Sequence, residues 1–481
     1  MDYSQFLAMK QEIGLLIAFL LVFFYDTFAT PKGSRYVPAF ACIVFGLFTI
    51  CGFCPCIIDM GDAQAFAGMY TTTPVITAIK NILNVGTLIV MIQALSWAGS
   101  EQQVARRGEI YQMLMLTLFG MYLMISARHF LVFIIGLETA SLPLAALVAF
   151  DKYRNESHEA AGKYILTACF SSAVLMFGLS LVYGIAGSLY YAEIAPAVAF
   201  EGTGVSLIVA IAFVIAGIGF KLSLVPFHLW TADVYQGAPT SVTSYLSVIS
   251  KGSAAMAFLI VLTQVFGALY ASAWEWMLYA LIILTITVGN LFAIRQKNLK
   301  RFLAFSSISQ AGYIMLGVIA NNAMGTAALM YYILVYIFSN LAAFGVIAAI
   351  ENHADGKVNM DDYNGLYKTN PRLALTMMLA MFSLAGIPPF AGFFSKFFIF
   401  TSAINQGSIA IYILVLIALI NTIISLYYYL LVVKAMFIND SDNPINTFRS
   451  SCSERLGFWI TVAGILALGV VSYFYDTLLT L

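Results

Sequence analysis

The chain has 481 residues, of which 61% are hydrophobic and only 10% are charged. Soluble globular domains are about 45–50% apolar, so this composition excludes a soluble protein and indicates an integral membrane protein. The formal net charge is zero. In a membrane protein the placement of charges matters more than their sum, so this value does not indicate a partner. The lipid bilayer is the expected environment, and we expect no nucleic-acid partner.

Apolar stretches of about 20 residues, the length that crosses about 30 Å of hydrocarbon, recur along the whole chain. Their number predicts about fourteen transmembrane helices, an even count that leaves both termini on one side. The predicted spans cover residues 11–28, 38–58, 74–97, 110–127, 130–150, 162–187, 204–225, 239–265, 273–294, 301–320, 324–350, 372–403 (long and interrupted), 409–436 and 456–479.

The basic residues predict the orientation, because short cytoplasmic loops retain Lys and Arg. With the N-terminus outside, only Lys10 and Arg128 lie on the outer side. The inner loops and their flanks then hold Lys32, Arg35, Arg106, Arg107, Lys152, Arg154, Lys163, Arg295, Lys297, Lys300, Arg301, Lys357, Lys368, Arg372, Lys434, Arg449 and Arg455. This asymmetry predicts both termini on the outer, periplasmic side of the cell inner membrane.

The remaining lysines all lie inside predicted spans: Lys80, Lys221, Lys251 and Lys396. Glu138 is the corresponding carboxylate, in the stretch FLVFIIGLETASLPLAALVAF. A charge at the bilayer centre costs about 2.5–3.5 kcal/mol on insertion scales, so such residues are usually paired, hydrated or functional. The alternative is a side chain that reaches the membrane interface, and for Lys80 the two interpretations stay equally open. Apolar sequence on both sides of the other charges favours a functional role.

Prolines interrupt two predicted spans. Pro226 cannot donate to the Leu222 carbonyl, so the helix that carries Lys221 is expected to break just after that lysine. In lipid, a freed carbonyl is tolerated only inside protein or beside water, which predicts local hydration next to Lys221. The second break lies in FSLAGIPPFAGFFSKFFIF, where Pro388 and Pro389 precede a lysine.

Broken helices at corresponding positions of two halves are typical of transporters built from repeats. Each predicted repeat has five helices, and an odd number of helices inverts the second repeat relative to the first. The predicted fold class is an all-α polytopic membrane protein with two inverted five-helix repeats, each with one broken helix. The predicted domains are an N-terminal three-helix segment (1–109), a first repeat (110–270), a second repeat (271–440) and a C-terminal helix (441–481).

Three of the six cysteines, Cys51, Cys54 and Cys56, lie close together near the end of the second predicted span. A metal or iron–sulfur site is one interpretation. The favoured interpretation is a set of small helix residues without a ligand, because the cysteines do not form a paired C-x-x-C arrangement with four plausible ligands.

Four stretches together resemble one known family. FKLSLVPFHLWTADVYQGAPTSVTSYLSVISK, FLVFIIGLETASLPL, KRFLAFSSISQAGYIMLG and LAGIPPFAGFFSKF are similar to the antiporter-like subunit N of proton-translocating NADH-quinone oxidoreductase, or respiratory complex I. The wider family includes the sister subunits L and M and the Mrp-type cation/proton antiporters. The HLW-x-x-DVYQGAP element is specific to the N branch, and the resemblance covers essentially the whole chain.

The resemblance implies a role in proton translocation for four residues. These are Glu138 on the fifth predicted helix, Lys221 on the broken seventh, Lys251 on the eighth and Lys396 on the broken twelfth. It further implies that Glu138 is buried and pairs with Lys221. Lys163 on the sixth helix is expected to modulate this pair.

Other positions are auxiliary candidates or depart from the family pattern. His228 and Asp233 are candidates for proton uptake or for ordering the loop at the first break. Prolines are common in the family where this chain has Ala232 and Ser241, and we expect only a more relaxed loop there. Histidine is common at the position of Gln310. A glutamine cannot titrate, but it can still order water.

These residues suggest a mechanism. Desolvation lowers the pKa of a buried lysine and a nearby carboxylate raises it, so movement of Glu138 relative to Lys221 is expected to change the proton affinity of that lysine. The proton then passes through water towards Lys251 and on to Lys396. We therefore expect one proton channel in the chain, with uptake from the cytoplasm near the first repeat and release through the second.

The resemblance implies a subunit of a proton-translocating enzyme with its redox chemistry elsewhere. We expect no cofactor or metal in this chain, because AGIGFKLS lacks the strand context and spacing of a dinucleotide-binding loop. NADH, FMN, iron–sulfur clusters and quinone are expected in other subunits. The expected partners are the other membrane subunits of complex I, including sister antiporter-like subunits. The alternatives are a free-standing or Mrp-type Na⁺/H⁺ antiporter subunit and a scaffold, although a scaffold has no need of buried charges.

Overall fold

Long apolar helices make up most of the computed structural model, which describes residues 3–30, 33–54, 61–99, 106–354, 356–441 and 443–481. Within these ranges, 13 helices are long and apolar enough to cross a membrane. Two shorter apolar helices, Pro371–Ala385 and Ala391–Ile404, follow each other and together form one further crossing. The predicted all-α polytopic fold with about fourteen membrane helices is therefore confirmed.

The helices are α1 (Lys10–Phe28), α2 (Val37–Gly52), α3 (Pro74–Ala98), α4 (Arg107–Ser126), α5 (Phe130–Val148), α6 (Asn155–Ala186), α7 (Tyr191–Glu201), α8 (Val205–Leu222), α9 (Leu229–Gly237), α10 (Thr240–Tyr245), α11 (Lys251–Gln264), α12 (Glu275–Ile294), α13 (Leu299–Ile319), α14 (Ala323–His353), α15 (Leu366–Thr369), α16 (Pro371–Ala385), α17 (Ala391–Ile404), α18 (Ile409–Phe437), α19 (Cys452–Val470) and α20 (Phe474–Leu479). Strands β1 (Ala63–Ala65) and β2 (Tyr70–Thr72) form an antiparallel hairpin, with Ala63 opposite Thr72. Tighter 3-10 turns cover Tyr3–Met9, Gly33–Tyr36, Gly267–Leu269 and Met360–Tyr363, and wider π-helical turns cover Leu246–Ser250 and Tyr270–Trp274.

Both predicted helix breaks are present. Helix α8 ends at Leu222, Ser223 takes a left-handed φ of 60°, and the chain becomes helical again at Leu229. Helix α16 ends at Ala385, and α17 begins at Ala391. The interruptions contain Pro226, Pro388 and Pro389, as expected from a residue that lacks a backbone N–H.

The first two helices of each predicted repeat pack in the same close manner. Gly120 of α4 lies directly against the backbone of α5 near Ala140, and a Cβ at this position would overlap that backbone. Gly289 of α12 lies equally close to the backbone of α13 at Ser309. Small residues allow such approach between membrane helices. The same arrangement therefore occurs in both five-helix units, although their exact boundaries stay a prediction.

Three spans form the enclosed centre of the bundle. They cover residues 240–264, 299–319 and 323–353, and almost all of their residues are buried by other helices. The first contains Lys251 and the second contains Gln310. The polar residues on these spans therefore lie inside protein and not against lipid, which is where helices of a transporter carry their functional groups.

A buried ion pair connects the N-terminal helices. The Lys80 Nζ of α3 lies 2.6 Å from the Glu12 Oε1 of α1, and the two side chains are 0% and 2% exposed. Lys80 also donates to the Tyr70 hydroxyl at 3.1 Å. Next to this pair, Asn81 accepts a hydrogen bond from Gln11 of α1 at 2.8 Å and donates to the Gly52 carbonyl of α2 at 2.7 Å. Lys80 is thus paired inside the protein and does not reach the membrane interface.

The cysteines near the end of α2 do not form a recognisable ligand cluster in the described residues. Cys51 lies within α2 and is exposed, Cys54 follows the helix, and Cys56 lies outside the described residues. Among the residues that the structure describes, His, Cys, Asp and Glu do not form any group of three that could hold a metal ion. The metal-site interpretation therefore has no support from the described part of the chain.

Breaking the buried pair should be costly. Glu12→Leu leaves the Lys80 ammonium unpaired in the protein interior, a change that typically costs about 3–5 kcal/mol. We expect a clear loss of thermal stability of the purified protein in detergent. The double variant Glu12→Leu/Lys80→Met should recover most of that loss, because both charges are then gone.

Lys297→Met, at an exposed lysine, serves as the control and should leave the unfolding midpoint nearly unchanged. A Glu12→Leu protein as stable as this control would contradict the assigned role of the pair.

Candidate functional site

Three buried lysines lie at the helix breaks and in the enclosed centre. Lys221, Lys251 and Lys396 are 6%, 1% and 5% exposed, respectively. Lys221 is the penultimate residue of α8, Lys251 is the first residue of α11, and Lys396 lies in the second turn of α17. The sequence analysis predicted all three to be buried, and their burial is confirmed.

Lys221 lies against an aromatic side chain of the neighbouring helix. Its Nζ is 3.4 Å from the Tyr164 hydroxyl of α6. The second half of the broken helix folds back next to it, because the Trp230 indole donates to the Phe220 carbonyl at 3.2 Å. The ring of Trp230 also packs edge-on against the ring of Tyr164. The break therefore holds the Lys221 ammonium in an aromatic and hydroxyl-lined site.

Several buried polar atoms at this break have no hydrogen-bond partner among the residues that the structure describes. They are the Ser223 Oγ, His228 Nδ1, Thr231 Oγ1 and Tyr235 Oη atoms. Buried polar groups in proteins are hydrogen-bonded in the great majority of cases, to protein or to ordered water, and a polar site of this kind is where buried water binds. This cluster agrees with the hydration that the sequence predicted beside Lys221.

Glu138 differs from the expectation in two ways. It is only partly buried, and it accepts a hydrogen bond from Ser172 of α6 at 2.5 Å. Lys221 instead contacts Tyr164, so the expected direct ion pair between Glu138 and Lys221 is not formed in the structure. The physical reason is the position of Glu138 on α5, at the edge of that helix's outer face.

That outer face is apolar apart from Glu138. Leu131, Ile135 and Leu142 are 50%, 49% and 53% exposed, and together with Glu138 they recur at the three- and four-residue spacing of one helix face. The glutamate therefore lies partly buried at the edge of this outer face, against Ser172 of α6, and not in the core of the chain. The sequence predicted a charge inside a span. Apolar residues flank both lipid-facing and core-facing positions of a membrane helix, so they did not show on which side Glu138 lies.

Asp233 connects the two repeats on the side of the basic loops. It lies 2.6 Å from the Lys163 Nζ of α6 and 2.6 Å from the Arg301 Nη1 of α13. Burial acts to raise the pKa of Asp233, but the hydrogen bonds from Lys163 and Arg301 outweigh this effect and lower the pKa below its ordinary value. Lys163 also pairs with Glu159 at 2.7 Å. The structure thus joins Lys163 to Asp233 and Glu159, and not directly to Lys221 or Glu138.

A second charged cluster near this surface was not recognised from the sequence. Lys300 is 1% exposed and donates to the Ala238 carbonyl at 2.8 Å. Its Nζ lies 3.8 Å from Glu351, which pairs with Arg154 at 2.7 Å and accepts a hydrogen bond from Thr240. Lys300 and Arg154 were predicted to lie in the inner loops or their flanks. The available signal was Glu351, a carboxylate at the end of a long apolar stretch.

Lys251 lies in the enclosed centre among hydroxyl groups. Its Nζ donates to the Ser307 Oγ of α13 at 2.8 Å and lies 5.6 Å from the centre of the Tyr235 ring. The turn of π-helix over Leu246–Ser250 immediately precedes this lysine, and such turns are frequent at functional sites. Tyr235 belongs to α9, so the second half of the first broken helix lies between the surroundings of Lys221 and those of Lys251.

Gln310 follows Ser307 by about one turn of α13, and its side chain makes buried hydrogen bonds to other helices. Its Nε2 donates to the Tyr429 hydroxyl at 3.1 Å, and the Tyr332 hydroxyl donates to its Oε1. A cavity of about 10 Å³ lies between Gln310 and Lys396, with Tyr336 and Ser383 in its wall. Such a volume is just sufficient for one water molecule.

Lys396 binds the carbonyl groups that the second break exposes. Its Nζ donates to the Leu384 carbonyl at 3.1 Å and to the Ala385 carbonyl at 3.0 Å, both at the C-terminus of α16. These carbonyls have no helical partner, and the negative end of the helix dipole favours a cation there. Gly386, with φ of 87°, follows them, and a Cβ on it would lie only 3.1 Å from the Lys396 Cδ.

Comparison with known proteins agrees with this geometry. The family model described as NADH:quinone oxidoreductase/Mrp antiporter, TM, matches residues 127–425. NADH-quinone oxidoreductase subunit N of Phocaeicola vulgatus is 51% identical over 478 residues, which cover 99% of each chain. The chain belongs to the subunit N family of NADH-quinone oxidoreductase. The resemblance on which the sequence analysis relied is therefore confirmed.

Solved structures extend the comparison to the fold of the subunit N family. A chain of respiratory complex I from Thermus thermophilus superimposes with a TM-score of 0.80 at 31% identity, covering 96% of this chain and 97% of that chain. A chain of the Mrp complex from Dietzia sp. superimposes with a TM-score of 0.85 at 21% identity, covering 100% of this chain and 96% of that chain. The second likeness concerns the fold alone.

The two positions where prolines are common in the subunit N family do not form the relaxed loop that we expected. Ala232 lies inside α9 and Ser241 lies inside α10. The positions where prolines are common in the family are therefore helical in this chain and do not belong to a relaxed loop. Alanine and serine carry the backbone N–H that a proline lacks, so both are compatible with these short helices.

Gly386→Ala should test how closely Lys396 is fitted to the second break. An alanine in the left-handed region costs about 1–2 kcal/mol from backbone sterics alone, and here its Cβ would also press on the Lys396 side chain. Gly407→Ala is the matched control, because Gly407 has φ of 73° with open space around it. Thermal unfolding of the purified protein should show a larger loss for Gly386→Ala than for Gly407→Ala. Equal losses would contradict the close fit.

Proposed function

We propose that this chain is the proton-translocating membrane subunit of an NADH-quinone oxidoreductase. The observation that carries the proposal is the series of buried lysines, Lys221, Lys251 and Lys396, of which two lie at helix breaks and one in the enclosed centre. A protein that only anchored its neighbours could have leucine at each of these positions and avoid the cost of burying a charge. Membership of the subunit N family supports the same function.

Glu138 and Lys221 are the proposed switch of the first repeat. A carboxylate close to the ammonium stabilises the protonated lysine, and its withdrawal favours release of the proton. The structure has the two groups apart, with Glu138 bound to Ser172 and Lys221 bound to Tyr164. We interpret this as the separated arrangement, in which Tyr164 takes the place of the carboxylate beside Lys221.

The path then runs through the centre of the bundle. From Lys221 the proton passes across the hydrated break near His228 and Tyr235 to Lys251, which Ser307 holds in position. From Lys251 it passes Gln310 and reaches Lys396 through the small cavity. Gln310 acts by ordering water, because an amide cannot exchange a proton by titration at neutral pH.

The proposed direction follows the charge asymmetry of the loops. Asp233, Lys163 and Arg301 form a charged surface beside the first break, on the side that carries most Lys and Arg. We propose that protons enter from the cytoplasm on this side and leave through the second repeat past Lys396. The termini then lie on the outer side of the inner membrane.

The outer face of α5 supports assembly with other membrane subunits. A carboxylate inside a span is costly where it meets lipid, and Glu138 is only partly buried within this chain. A neighbouring protein surface over Glu138 removes that cost. We propose that the neighbours are other membrane subunits of complex I, including sister antiporter-like subunits. In this assignment NADH, FMN, iron–sulfur clusters and quinone bind to other subunits, and this chain carries no redox step, in keeping with the lack of a dinucleotide fingerprint in its sequence.

An Mrp-type Na⁺/H⁺ antiporter subunit is the second candidate function. The matching family model covers both kinds of protein, and the fold of the Dietzia Mrp chain is similar. The same lysines would then exchange cations without an electron-transfer partner. Purification from the native membrane separates the two functions, because only the first predicts that quinone-reductase subunits are recovered together with this chain.

Removing the switch should uncouple proton transfer from quinone reduction. Lys221→Ala and Glu138→Ala should each lower the number of protons translocated per quinone reduced, measured in proteoliposomes that contain the assembled complex, by severalfold. Lys297→Ala, at an exposed lysine on the same side, should leave this ratio unchanged. An unchanged ratio in both switch variants would contradict the mechanism.

The water-ordering role of Gln310 has its own test. Gln310→Leu removes the amide that binds Tyr332 and Tyr429 and should slow proton translocation severalfold. Gln310→His keeps a polar group at this position and should retain the wild-type rate of proton translocation. Ile314→Leu, one turn along α13, is the control for packing in this buried helix. If Gln310→Leu pumped as well as Gln310→His, the proposed path past residue 310 would be wrong.

A further inference from the structure

A groove between α16 and α19 combines an arginine-rich rim with an apolar wall. It has a volume of about 700 Å³, which is within the range of sites for small molecules. The rim carries Arg372, Arg449 and Arg455. We refer to it, with its wall residues Leu375, Leu379, Trp459 and Val462, as the arginine-rimmed groove. The proton path described above does not involve any of these residues.

The rim is positively charged and its charges are free to bind a ligand. Arg372 and Arg449 are exposed, and neither has a hydrogen-bond or ion-pair partner for its guanidinium within the described part of the chain. Arg455 makes only one long contact, from its Nε to the Ser451 carbonyl at 3.4 Å. The described residues that line the groove include no carboxylate. The rim therefore complements an anion, and guanidinium groups bind phosphate well because of their forked geometry.

Hydrogen bonds fix the rim as one unit. The Phe448 N–H donates to the Asn370 Oδ1 at 3.2 Å, and the Asn370 side chain donates to the Asn446 carbonyl at 3.1 Å. Thr447 donates to the Thr369 carbonyl at 3.1 Å. These bonds attach the segment that carries Arg449 to Thr369 and Asn370, which directly precede α16 and therefore lie next to Arg372. Helix α16 also begins without a side-chain cap or an acidic residue in its first turn, so its positive dipole end faces the same region.

The residues of the groove are arranged to complement an amphiphilic ligand, with cations at one end and apolar side chains farther along. On α16, Arg372 is followed on the same face by Leu375 and Leu379, and on α19, Arg455 is followed by Trp459 and Val462. A separation of seven residues along a helix corresponds to about 10 Å. Each helix thus presents a cation first and apolar side chains about 10 Å farther along. Trp459 is 74% exposed, as is typical of tryptophan at the membrane interface.

We propose that the arginine-rimmed groove is a binding site for an anionic phospholipid. The phosphodiester headgroup binds to Arg372, Arg449 and Arg455, and one acyl chain lies along the apolar wall between α16 and α19. Basic pockets between membrane helices on the side of the basic loops are typical sites for anionic lipid headgroups. A free phosphate ion fits only the rim, whereas a phospholipid fits both the rim and the wall, so the phospholipid is the ligand that the whole groove favours.

The site can be tested by photo-crosslinking in the assembled complex. The complex is reconstituted in nanodiscs with phosphatidylglycerol that carries a diazirine in one acyl chain, and labelled positions are mapped by mass spectrometry. We expect labels on α16 and α19 near Leu375, Leu379 and Val462. Phosphatidylcholine with the same diazirine should label these positions roughly tenfold less, since each arginine adds to the attraction for an anionic headgroup.

Two variants separate the contributions of charge and groove. Arg372→Gln/Arg449→Gln should lower the labelling about tenfold, whereas Arg295→Gln/Lys434→Gln, which removes two exposed charges elsewhere on the same side, should not. Val462→Trp fills the wall without changing the rim and should also abolish labelling. Quinone reduction by each complex serves as the check of assembly, and the wild-type comparison of the two lipids tests the site without any variant.

Four results would overturn the proposal. Equal labelling by phosphatidylglycerol and phosphatidylcholine would mean that the rim does not select an anionic headgroup. Complete displacement of the lipid by inorganic phosphate would assign the rim to a soluble anion. Labelling that Val462→Trp leaves intact would mean that the acyl chain does not lie along the wall between α16 and α19. Diazirine crosslinks that are absent from α16 and α19 in the wild-type complex, with a neighbouring polypeptide over the groove, would assign it to a protein partner.

Discussion

The cost of placing an ammonium group inside a membrane protein determines the arrangement of this chain. A buried charge needs a counter-charge, free lone pairs or water, and the chain supplies these in different ways. Lys80 has the carboxylate of Glu12. Lys396 has two backbone carbonyls at the end of a broken helix, and Lys251 has a serine hydroxyl. Lys221 has the weakest partner for its ammonium group, a tyrosine hydroxyl at 3.4 Å.

This difference separates a structural lysine from the lysines of the proposed path. The Lys80 ammonium lies 2.6 Å from the Glu12 carboxylate, and both side chains are almost fully buried, so a carboxylate of the same chain compensates the charge of this lysine. Lys221, Lys251 and Lys396 bind neutral groups, which accept a hydrogen bond from the ammonium but compensate its charge only in part. Lysines in such surroundings lose a proton more easily than lysines in ion pairs. The helix breaks are therefore part of the proposed chemistry, because they supply carbonyl groups and room for water without a fixed negative charge.

Much of this arrangement could be predicted from the sequence. The approximate number of spans, the two breaks and the burial of Lys221, Lys251 and Lys396 depend on local properties, namely apolar length and the missing N–H of proline, and these were predicted correctly. The bounds of single spans were less exact: the last one was predicted over 456–479, but its long helix ends at Val470. The positions that were wrong or missed depend on which helices are neighbours. Glu138 would have apolar neighbours in the sequence whether it faced the core or the outside of the bundle. Only the packing of α5 reveals that it lies at the edge of an outer face. Lys300 looked like a loop residue because its buried contacts, to Ala238 and Glu351, come from distant parts of the chain.

The most direct test of the continuous path concerns its central residue, Lys251, which is only 1% exposed. The measurement is the ratio of protons translocated to electrons transferred by the assembled complex in proteoliposomes that carry Lys251→Met, a substitution of similar length without a titratable group. We expect electron transfer to quinone to continue at a reduced rate while this ratio falls below that of the wild type. A complex that transfers electrons and retains the full wild-type ratio would contradict a proton path through Lys251.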